Sequence, residues 1–157
     1  MPPTTQDDKI MREAVLLGGI LTSSEVWVGL NNSHNEILEN LDERLLRGIV
    51  QCHSKTARVF LYQETSALPI RFVIKYRRLA YLRHILTRDK GELISKVFFA
   101  QQRKPVKKVW ALTVKKDLED INIGLSLEAI KNMKKEQFKK LLKEKVSNTV
   151  CFRIFRK

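Results

Sequence analysis

One stretch, residues 69–88, limits how this chain can fold more than any other part of the sequence. It reads PIRFVIKYRRLAYLRHILTR and contains six Lys or Arg residues but no Asp or Glu. Pro69 sets a backbone angle suited to the first position of a helix, and neither Pro nor Gly follows before Gly91. The pattern therefore predicts one long helix. Because this helix is apolar on several sides and basic along several edges, we expect it to pack inside a small domain while its long cationic side chains reach the surface.

On a helical wheel of about 100° per residue, Arg71, Lys75 and Arg78 fall on one stripe, and Arg77, His84 and Arg88 fall on another. We expect the first stripe to face a ligand. The candidates for internal pairing are Arg77, Arg83 and Arg88. The sequence leaves open which of these groups are free and which are paired.

The net charge of +13 on this 157-residue chain is unevenly distributed. Residues 1–68 contain 6 Lys or Arg against 9 Asp or Glu, whereas residues 69–157 contain 24 against 8. A strongly basic segment indicates a polyanionic partner. Nucleic acid is the partner that we favour, an anionic membrane surface comes second, and a solvated basic surface without a partner is the third alternative.

Length and composition predict one globular domain rather than two. The chain is 43% hydrophobic and 30% charged, which is typical of a folded domain. Its two cysteines, Cys52 and Cys151, do not form the pattern of a disulfide framework. The early apolar run over 14–28 contains two Gly, two Ser and a Glu, and it is therefore too polar to cross a bilayer. We expect an intracellular protein, nuclear or cytoplasmic, with no membrane partner.

The segment over 33–50 has a clear amphipathic helix pattern. Ser33 and Glu36 have the spacing of a capping box at its start. Its Leu and Ile residues recur every three or four positions. The charged residues between them are expected to form a solvated face that is paired within the helix, and they are Glu36, Glu39, Asp42, Glu43, Arg44 and Arg47.

Weaker patterns predict helices elsewhere in the chain. An N-terminal helix over 7–29 is weakened where Gly18 meets Gly19, a pair that indicates close packing or a kink, and Thr56 is expected to cap a brief helix over 59–62. The remaining predicted helices cover 92–102, 106–121, a region that begins at Ser126, and a Lys-rich segment over 133–151. Residues 149–155, TVCFRIF, alternate loosely as a strand would, but a helical tail is favoured.

These patterns together predict an all-α fold, a small irregular multi-helix domain around the long basic helix. We predict three regions along the chain. They are a loose N-terminus over 1–6, a helical domain over 7–130 and a Lys-rich helical extension over 131–157.

The chain offers little for catalysis. The carboxylates Asp117, Glu119 and Asp120 stand close together, but neighbouring lysines indicate a solvated helix end rather than a metal site. The His and Cys residues do not cluster with the spacing that metal ligands need. We therefore predict no catalytic residue, no metal site and no cofactor.

Binding is the chemistry that the sequence favours, because Lys and Arg side chains neutralise phosphates and release counterions. A second basic cluster, KPVKK, follows Arg103 and is compatible with a phosphate contact, a nuclear localisation signal or a solvated loop. The candidate nucleic-acid-binding residues are Arg71, Lys75, Arg78, Arg83, Lys104, Lys107 and Lys108.

Three segments carry a resemblance to a known family. They are SEVWVGLNNSHNEILENLDERLLRGIV, LYQETSALPIRFVIKYRRLAYLRHILTR and LISKVFFAQQRKPVKKVWALTVKKDLEDINI. Their order and spacing resemble the region that follows the polymerase palm in reverse transcriptases of non-LTR retrotransposons. The resemblance implies the thumb and the linker beyond it, with helices that hold a template and primer duplex by its backbone. Nothing in the chain resembles the palm with its paired aspartates, the fingers, a zinc knuckle or an endonuclease, so the resemblance implies a fragment that cannot polymerise DNA by itself.

The hypothesis from sequence is a non-catalytic fragment that binds nucleic-acid backbone, whether RNA, DNA or hybrid, without sequence specificity. The first alternative is a helical protein-interaction module, in which the 33–50 helix is the partner surface and the basic stripe pairs internally with Glu36, Glu39 or Glu43. A second alternative is a decayed transposon remnant without activity of its own, and an enzyme is the least favoured interpretation.

Overall fold

The computed structural model describes residues 10–103 and 109–155, with side chains described up to Cys151. Every regular element over these residues is helical and none is a strand, so the predicted all-α fold class is confirmed. A π-helix over Glu13–Ile20 and a 3₁₀ turn over Ser24–Val26 come first. The α-helices that follow are α1 (Asn32–Val50), α2 (Arg58–Thr65), α3 (Ile70–Thr87), α4 (Leu93–Arg103), α5 (Trp110–Asp120), α6 (Leu127–Asn132) and α7 (Lys135–Phe155).

The long basic helix forms as predicted. α3 begins one residue after Pro69 and ends at Thr87. The Pro69 carbonyl accepts hydrogen bonds from the N–H groups of Phe72 and Val73, so the proline opens the helix at a position that needs no donor. The buried apolar residues of α3 are Ile70, Phe72, Ile74, Leu79, Leu82, Ile85 and Leu86. Burying one such side chain contributes roughly 1.5–3 kcal/mol, so α3 is a core element as well as a basic one.

The start of α1 differs from the prediction. Asn31 and not Ser33 is the N-cap residue, and its side chain accepts a hydrogen bond from the His34 N–H at 2.8 Å. The His34 ring accepts in return from the Asn31 N–H. The predicted Ser33–Glu36 pair is wrong because Asn and Ser are equally good cap residues, and the extended backbone occurs at Asn31.

Two other predicted boundaries are wrong. The N-terminal helix does not continue to residue 29, because the π-helix ends at Ile20 and Ser23 then adopts a φ of 57° that no right-handed helix contains. Gly18 and Gly19 lie inside the π-helix rather than at the break. Thr56 does not cap α2, which starts after Ala57 without a side-chain cap.

The later helices agree with the sequence patterns. α4 and α7 match the helices predicted over 92–102 and 133–151, and Ser126 caps α6 by accepting a hydrogen bond from the Ala129 N–H. Because α7 continues to Phe155, the predicted helical tail is confirmed over the strand alternative. Among the described residues, none of the helices combines the length and the apolar composition that crossing a bilayer requires.

The described chain divides into two compact units. Unit 1 contains residues 10–23, Leu30–Val73 and 150–155, and within it α1 packs against α2. Unit 2 contains the described residues of Ser24–Gly29 and Ile74–Thr149, and within it α4 packs against α5. The predicted boundary between 130 and 131 is a different division and stays a prediction.

Trp110 links several elements of unit 2. Its ring lies edge-on to Tyr81 of α3, with ring centroids 5.9 Å apart, and to Phe98 of α4 at 5.8 Å. The indole N–H donates to the Glu25 carbonyl at 2.8 Å. Edge-to-face packing and a satisfied N–H are what a partly buried indole needs, so Trp110 fixes α3, α4 and α5 around one aromatic cluster.

Candidate nucleic-acid interface

Two cations of the predicted binding stripe are bound to carboxylates of α5 within unit 2. The Lys75 ammonium group pairs with Asp120, and the Arg78 guanidinium donates to Asp117 Oδ2 at 2.5 Å. Lys75 and Arg78 are three residues apart in α3, as Asp117 and Asp120 are in α5, so the two bonds lie side by side. These two residues of the stripe are therefore paired, and the charged group of Arg78 is buried against its carboxylate. Their contact with a ligand stays a prediction.

Asp117 also corrects the prediction of a solvated helix end. Its carboxylate is buried, whereas Glu119 beside it is exposed. Burial raises the pKa of Asp117 above its ordinary value, while the positive charges of Arg78 and Lys75 act in the opposite direction. A raised pKa means that desolvation of the carboxylate outweighs the attraction of the two cations.

Arg77 and Arg83 of α3, and Arg88 directly after it, have partners within unit 2. Arg83 donates through Nε at 3.1 Å and through Nη2 at 2.7 Å to the carbonyl of Met133, at the C-terminal end of α6. Arg88 pairs with Glu92 at 3.7 Å, and Arg77 contacts Ser24 Oγ at 3.4 Å. All three candidates for internal pairing are therefore bound inside the unit that contains them.

Arg71, the third cation of the stripe, is paired within unit 1. Its Nε and Nη2 donate to the two oxygens of Glu39, with Nη2 at 2.6 Å from Oε2. This two-pronged hydrogen bond raises the pKa of the Arg71 guanidinium, which therefore stays charged. The side chain nevertheless keeps 46% of its surface exposed. Pairing of Arg71 with Glu39 was one of the alternatives that the sequence left open.

α1 buries three carboxylates, which contradicts the predicted solvated face. Glu39, Asp42 and Glu43 are each at most 4% exposed. Their spacing of three and four positions places them on one stripe of the helix. Asp42 accepts two hydrogen bonds from the buried Arg12, from Nε at 2.7 Å and from Nη2 at 2.8 Å. Arg12 also donates to the Leu68 carbonyl, so this pair ties three segments of unit 1 together.

Arg58 and Arg47 neutralise the other two carboxylates together with Arg71. Arg58 Nη1 lies 3.6 Å from Glu39 Oε2, and Arg58 Nε contacts Glu43 Oε1 without the alignment of a hydrogen bond. Arg47 pairs with Glu43 at 3.3 Å and donates to the Thr56 carbonyl at 3.1 Å. Glu39 is therefore shared by two arginines, and so is Glu43. We call this set the arginine–carboxylate network, and its members are Arg12, Arg47, Arg58, Arg71, Glu39, Asp42 and Glu43.

Tyr62 lies within the electric field of this network. Burial raises the pKa of its phenol well above the ordinary 10.0, and the negative charges of Asp42, Glu43 and Glu39 raise it further. The hydroxyl is buried and has no hydrogen-bond partner among the described residues. Tyr62 therefore remains protonated at neutral pH.

The exposed cations lie mainly in unit 2. Its described residues include 17 Lys or Arg against 9 Asp or Glu, whereas those of unit 1 include 7 against 6. The exposed lysines of the α5 to α7 region are Lys115, Lys116, Lys131, Lys134, Lys135, Lys140 and Lys143. None of these lysines forms an ion pair with another described residue. The predicted residues Lys104, Lys107 and Lys108 lie outside the described part of the chain.

The lysines of α7 lie next to the apolar stripe that the helix buries. Phe138, Leu142 and Val146 are buried at intervals of four residues. Lys135, Lys139 and Lys143 follow the same interval along the neighbouring edge, which spaces them about 6 Å apart along the helix axis. Lys140 and Lys143 are three residues apart and are neighbours on the helix surface. Lys139 pairs with Glu136 at 3.8 Å, so the exposed lysines of α7 without an ion pair among the described residues are Lys135, Lys140 and Lys143.

Sequence reasoning missed Arg12 and Arg58 because their partners are distant in sequence; Arg12 and Asp42 are 30 positions apart. One signal was available in the sequence, because Glu39, Asp42 and Glu43 share a stripe of α1. In the structure, Ile37 and Leu41 of the apolar pattern are 62% and 40% exposed. A stripe of carboxylates on a helix that packs against its neighbours requires cations from other segments.

Among the described residues, no group of three or more His, Cys, Asp and Glu side chains is arranged to hold a metal ion. Comparison with protein-family models, with curated proteins and with solved structures finds no match for this chain. The resemblance to reverse transcriptases accordingly stays a prediction from the three segments quoted above.

Proposed function

We propose that this chain binds the phosphate backbone of nucleic acid without sequence specificity, and that the exposed lysines of unit 2 make the contacts. The observation that carries the proposal is the excess of 17 basic over 9 acidic residues in the described part of that unit, with lysines exposed and unpaired along α7. We also propose, from the resemblance alone, that the chain derives from the thumb and linker of a non-LTR reverse transcriptase and has no catalytic activity of its own.

The mechanism is electrostatic. Each lysine that approaches a phosphate displaces condensed counterions, and this release favours binding at low salt. The lysine ammonium group is a point charge on a flexible stem, so it contacts phosphates and does not discriminate between bases. Affinity should therefore be similar for unrelated sequences of the same strand type.

Lys75 and Arg78 of α3 are not proposed as the first phosphate contacts, because both are already paired with carboxylates. Lys75 and Arg78 would have to leave Asp120 and Asp117 before they could contact a phosphate, and Arg78 is buried. Breaking a buried pair by removing one partner costs about 3–5 kcal/mol. The lysines of α7 need no such rearrangement, so they reach a phosphate first.

The test is a series of binding measurements with labelled single-stranded, duplex and hybrid nucleic acids at increasing salt. We expect the logarithm of the association constant to fall linearly with the logarithm of the salt concentration, with a slope of about −0.9 for each phosphate neutralised on duplex DNA. Affinity that does not change with salt would contradict the electrostatic mechanism. No binding at low salt would favour the alternative of a transposon remnant without activity.

A protein-interaction module is the second candidate function, and two observations favour it. Arg71 is bound internally to Glu39, and α1 exposes Ile37 and Leu41 on its outer side. Since these two side chains contribute little to the core, replacing both by Ser should change the free energy of unfolding by no more than about 0.5 kcal/mol per residue. Self-association of the wild type in sedimentation velocity that the stable variant loses would support this candidate, and equal sedimentation of the two proteins would argue against self-association through α1.

A further inference from the structure

We propose that Arg58 and Arg71 form a binding site for a phosphate oxyanion on unit 1. The proposal does not depend on the nucleic-acid function assigned to unit 2, because it concerns other residues in the other unit. It rests on the geometry of the arginine–carboxylate network and on the exposure of these two members.

Both guanidinium groups are held by the same carboxylate oxygen. Arg71 Nη2 is 2.6 Å and Arg58 Nη1 is 3.6 Å from Glu39 Oε2. The two nitrogens therefore cannot be further apart than the two distances together, about 6 Å. Both nitrogens are engaged with Glu39, so this distance places the two guanidinium groups side by side, and a single anion with several oxygens would bind the donors that each group has left.

Donors remain on each arginine after the carboxylates are satisfied. A guanidinium carries five N–H donors. Arg71 uses Nε and Nη2 on Glu39, and Arg58 contacts Glu43 and Glu39 through Nε and Nη1. Arg71 therefore keeps the two donors of Nη1, and Arg58 keeps the two donors of Nη2. The side chains of Arg71 and Arg58 are 46% and 50% exposed, so ligands can approach them from solvent.

The supporting carboxylates are buried and fix the arginines before any ligand arrives. The side chains of Glu39 and Glu43 are 4% and 5% exposed, and Arg47 binds the oxygen of Glu43 that Arg58 does not contact. Groups held in place in advance lose little side-chain freedom on binding, which favours affinity. The network as a whole has four arginines against three carboxylates and keeps one positive charge for an anion.

Phosphate fits this site better than a carboxylate does. Two forked guanidinium groups offer more donors than the two oxygens of a carboxylate can use, whereas a phosphate group presents three strong acceptor oxygens. A small phosphorylated compound presents these three oxygens, whereas a backbone phosphate of a nucleic-acid strand presents its negative charge on two free oxygens.

The direct test follows the arginine Nε–H signals of the ¹⁵N-labelled full chain by NMR during a titration with inorganic phosphate at constant ionic strength. We expect the Arg58 and Arg71 signals to shift together along one saturable curve. Arg44 is the internal control, because it is exposed on α1 and has no ion pair among the described residues. Absence of a shift at Arg58 and Arg71, or an equal and unsaturated shift at Arg44, would overturn the proposal.

Variants give a second readout. Arg58→Gln leaves Glu39 paired with Arg71 and Glu43 paired with Arg47, so the network keeps a cation on each carboxylate. We expect this variant to bind phosphate about tenfold more weakly, as the loss of one charge-assisted hydrogen bond implies. Arg44→Gln should leave phosphate binding unchanged. Equal affinities of the Arg58→Gln and Arg44→Gln variants would contradict the site, and the wild-type titration decides the question if Arg58→Gln fails to fold.

A third titration separates the two sources of phosphate. It uses an oligonucleotide without terminal phosphates, so that only backbone phosphates are present. If the Arg58 and Arg71 signals shift with inorganic phosphate but not with the oligonucleotide, the site binds a small phosphorylated compound. If they shift with both ligands, the site also binds the backbone of a strand. Lys140→Gln with Lys143→Gln should leave the inorganic phosphate titration unchanged, so failure of this site and failure of the proposed function are distinguishable.

Discussion

At the scale of single residues, the stability of unit 1 depends on buried ion pairs such as Arg12 with Asp42. Asp42 has no exposed surface, and its partner Arg12 is 7% exposed. A charge that is removed from water in this way is tolerated only with its partner in place, because its desolvation is otherwise uncompensated. The positive and negative members of the arginine–carboxylate network therefore depend on one another.

We predict that Asp42→Asn lowers the free energy of unfolding by about 3–5 kcal/mol, since it leaves the Arg12 guanidinium buried without its counterion. Urea unfolding followed by circular dichroism measures this loss. Glu36→Gln is the matched control, because Glu36 is an exposed acidic residue of the same helix. Its effect should stay within about 0.5 kcal/mol, and equal midpoints for the two variants would contradict the buried pair.

At the scale of the helices, local hydrogen bonds set where elements begin. We predict that Asn31→Ala destabilises the fold by about 0.5–2 kcal/mol, because the His34 N–H at the start of α1 loses its acceptor. Ser33→Ala should have almost no effect, although sequence alone assigns the cap to Ser33. Thermal unfolding of the two variants makes the comparison. A larger loss of stability for Ser33→Ala than for Asn31→Ala would indicate that Ser33 is the N-cap residue of α1.

The ion pairs between α3 and α5 lead to a prediction about pH. The pKa of Asp117 is raised above its ordinary 3.8, so the folded state holds this proton more tightly than the unfolded state. Its contribution to stability is full below that ordinary value and is lost as the pH rises through the folded pKa.

Asp117→Asn removes this titration. Between about pH 4 and pH 7, the free energy of unfolding of the wild type should therefore fall relative to that of the Asp117→Asn variant. Urea unfolding of both proteins across this range is the measurement. A wild-type stability that rises relative to the variant would mean that the attraction of Arg78 and Lys75 outweighs burial.

At the scale of the whole molecule, the sequence predicts the helices better than it predicts their partners. The all-α class, α3 and α7 follow from local periodicity and from Pro69, and these signals act over a few residues. The burial of Glu39, Asp42 and Glu43 depends on arginines that come from distant segments. On a single helix such carboxylates have the spacing of a solvated face, so local patterns assign them to solvent.

Composition indicates which part of the chain carries the positive charge, but it does not indicate which of the cations are exposed. The basic second part of the chain was evident from composition, and it places the exposed lysines in unit 2. The stripe of Arg71, Lys75 and Arg78 was assigned to a ligand because its acidic partners lie far away in sequence, for example 32 positions between Arg71 and Glu39. A wheel of one helix cannot reveal such partners.

The central claim is that exposed lysines of unit 2 bind nucleic acid through its backbone. Fluorescence anisotropy with a labelled duplex across a salt series tests it most directly, with two variants that each remove two positive charges. Lys140→Gln with Lys143→Gln acts in unit 2, and Arg44→Gln with Lys55→Gln acts at exposed residues of unit 1. We predict that the unit 2 variant weakens binding and reduces the magnitude of the salt slope by about 2, while the unit 1 variant binds like the wild type. Equal losses in the two variants, or no loss in either, would contradict the account.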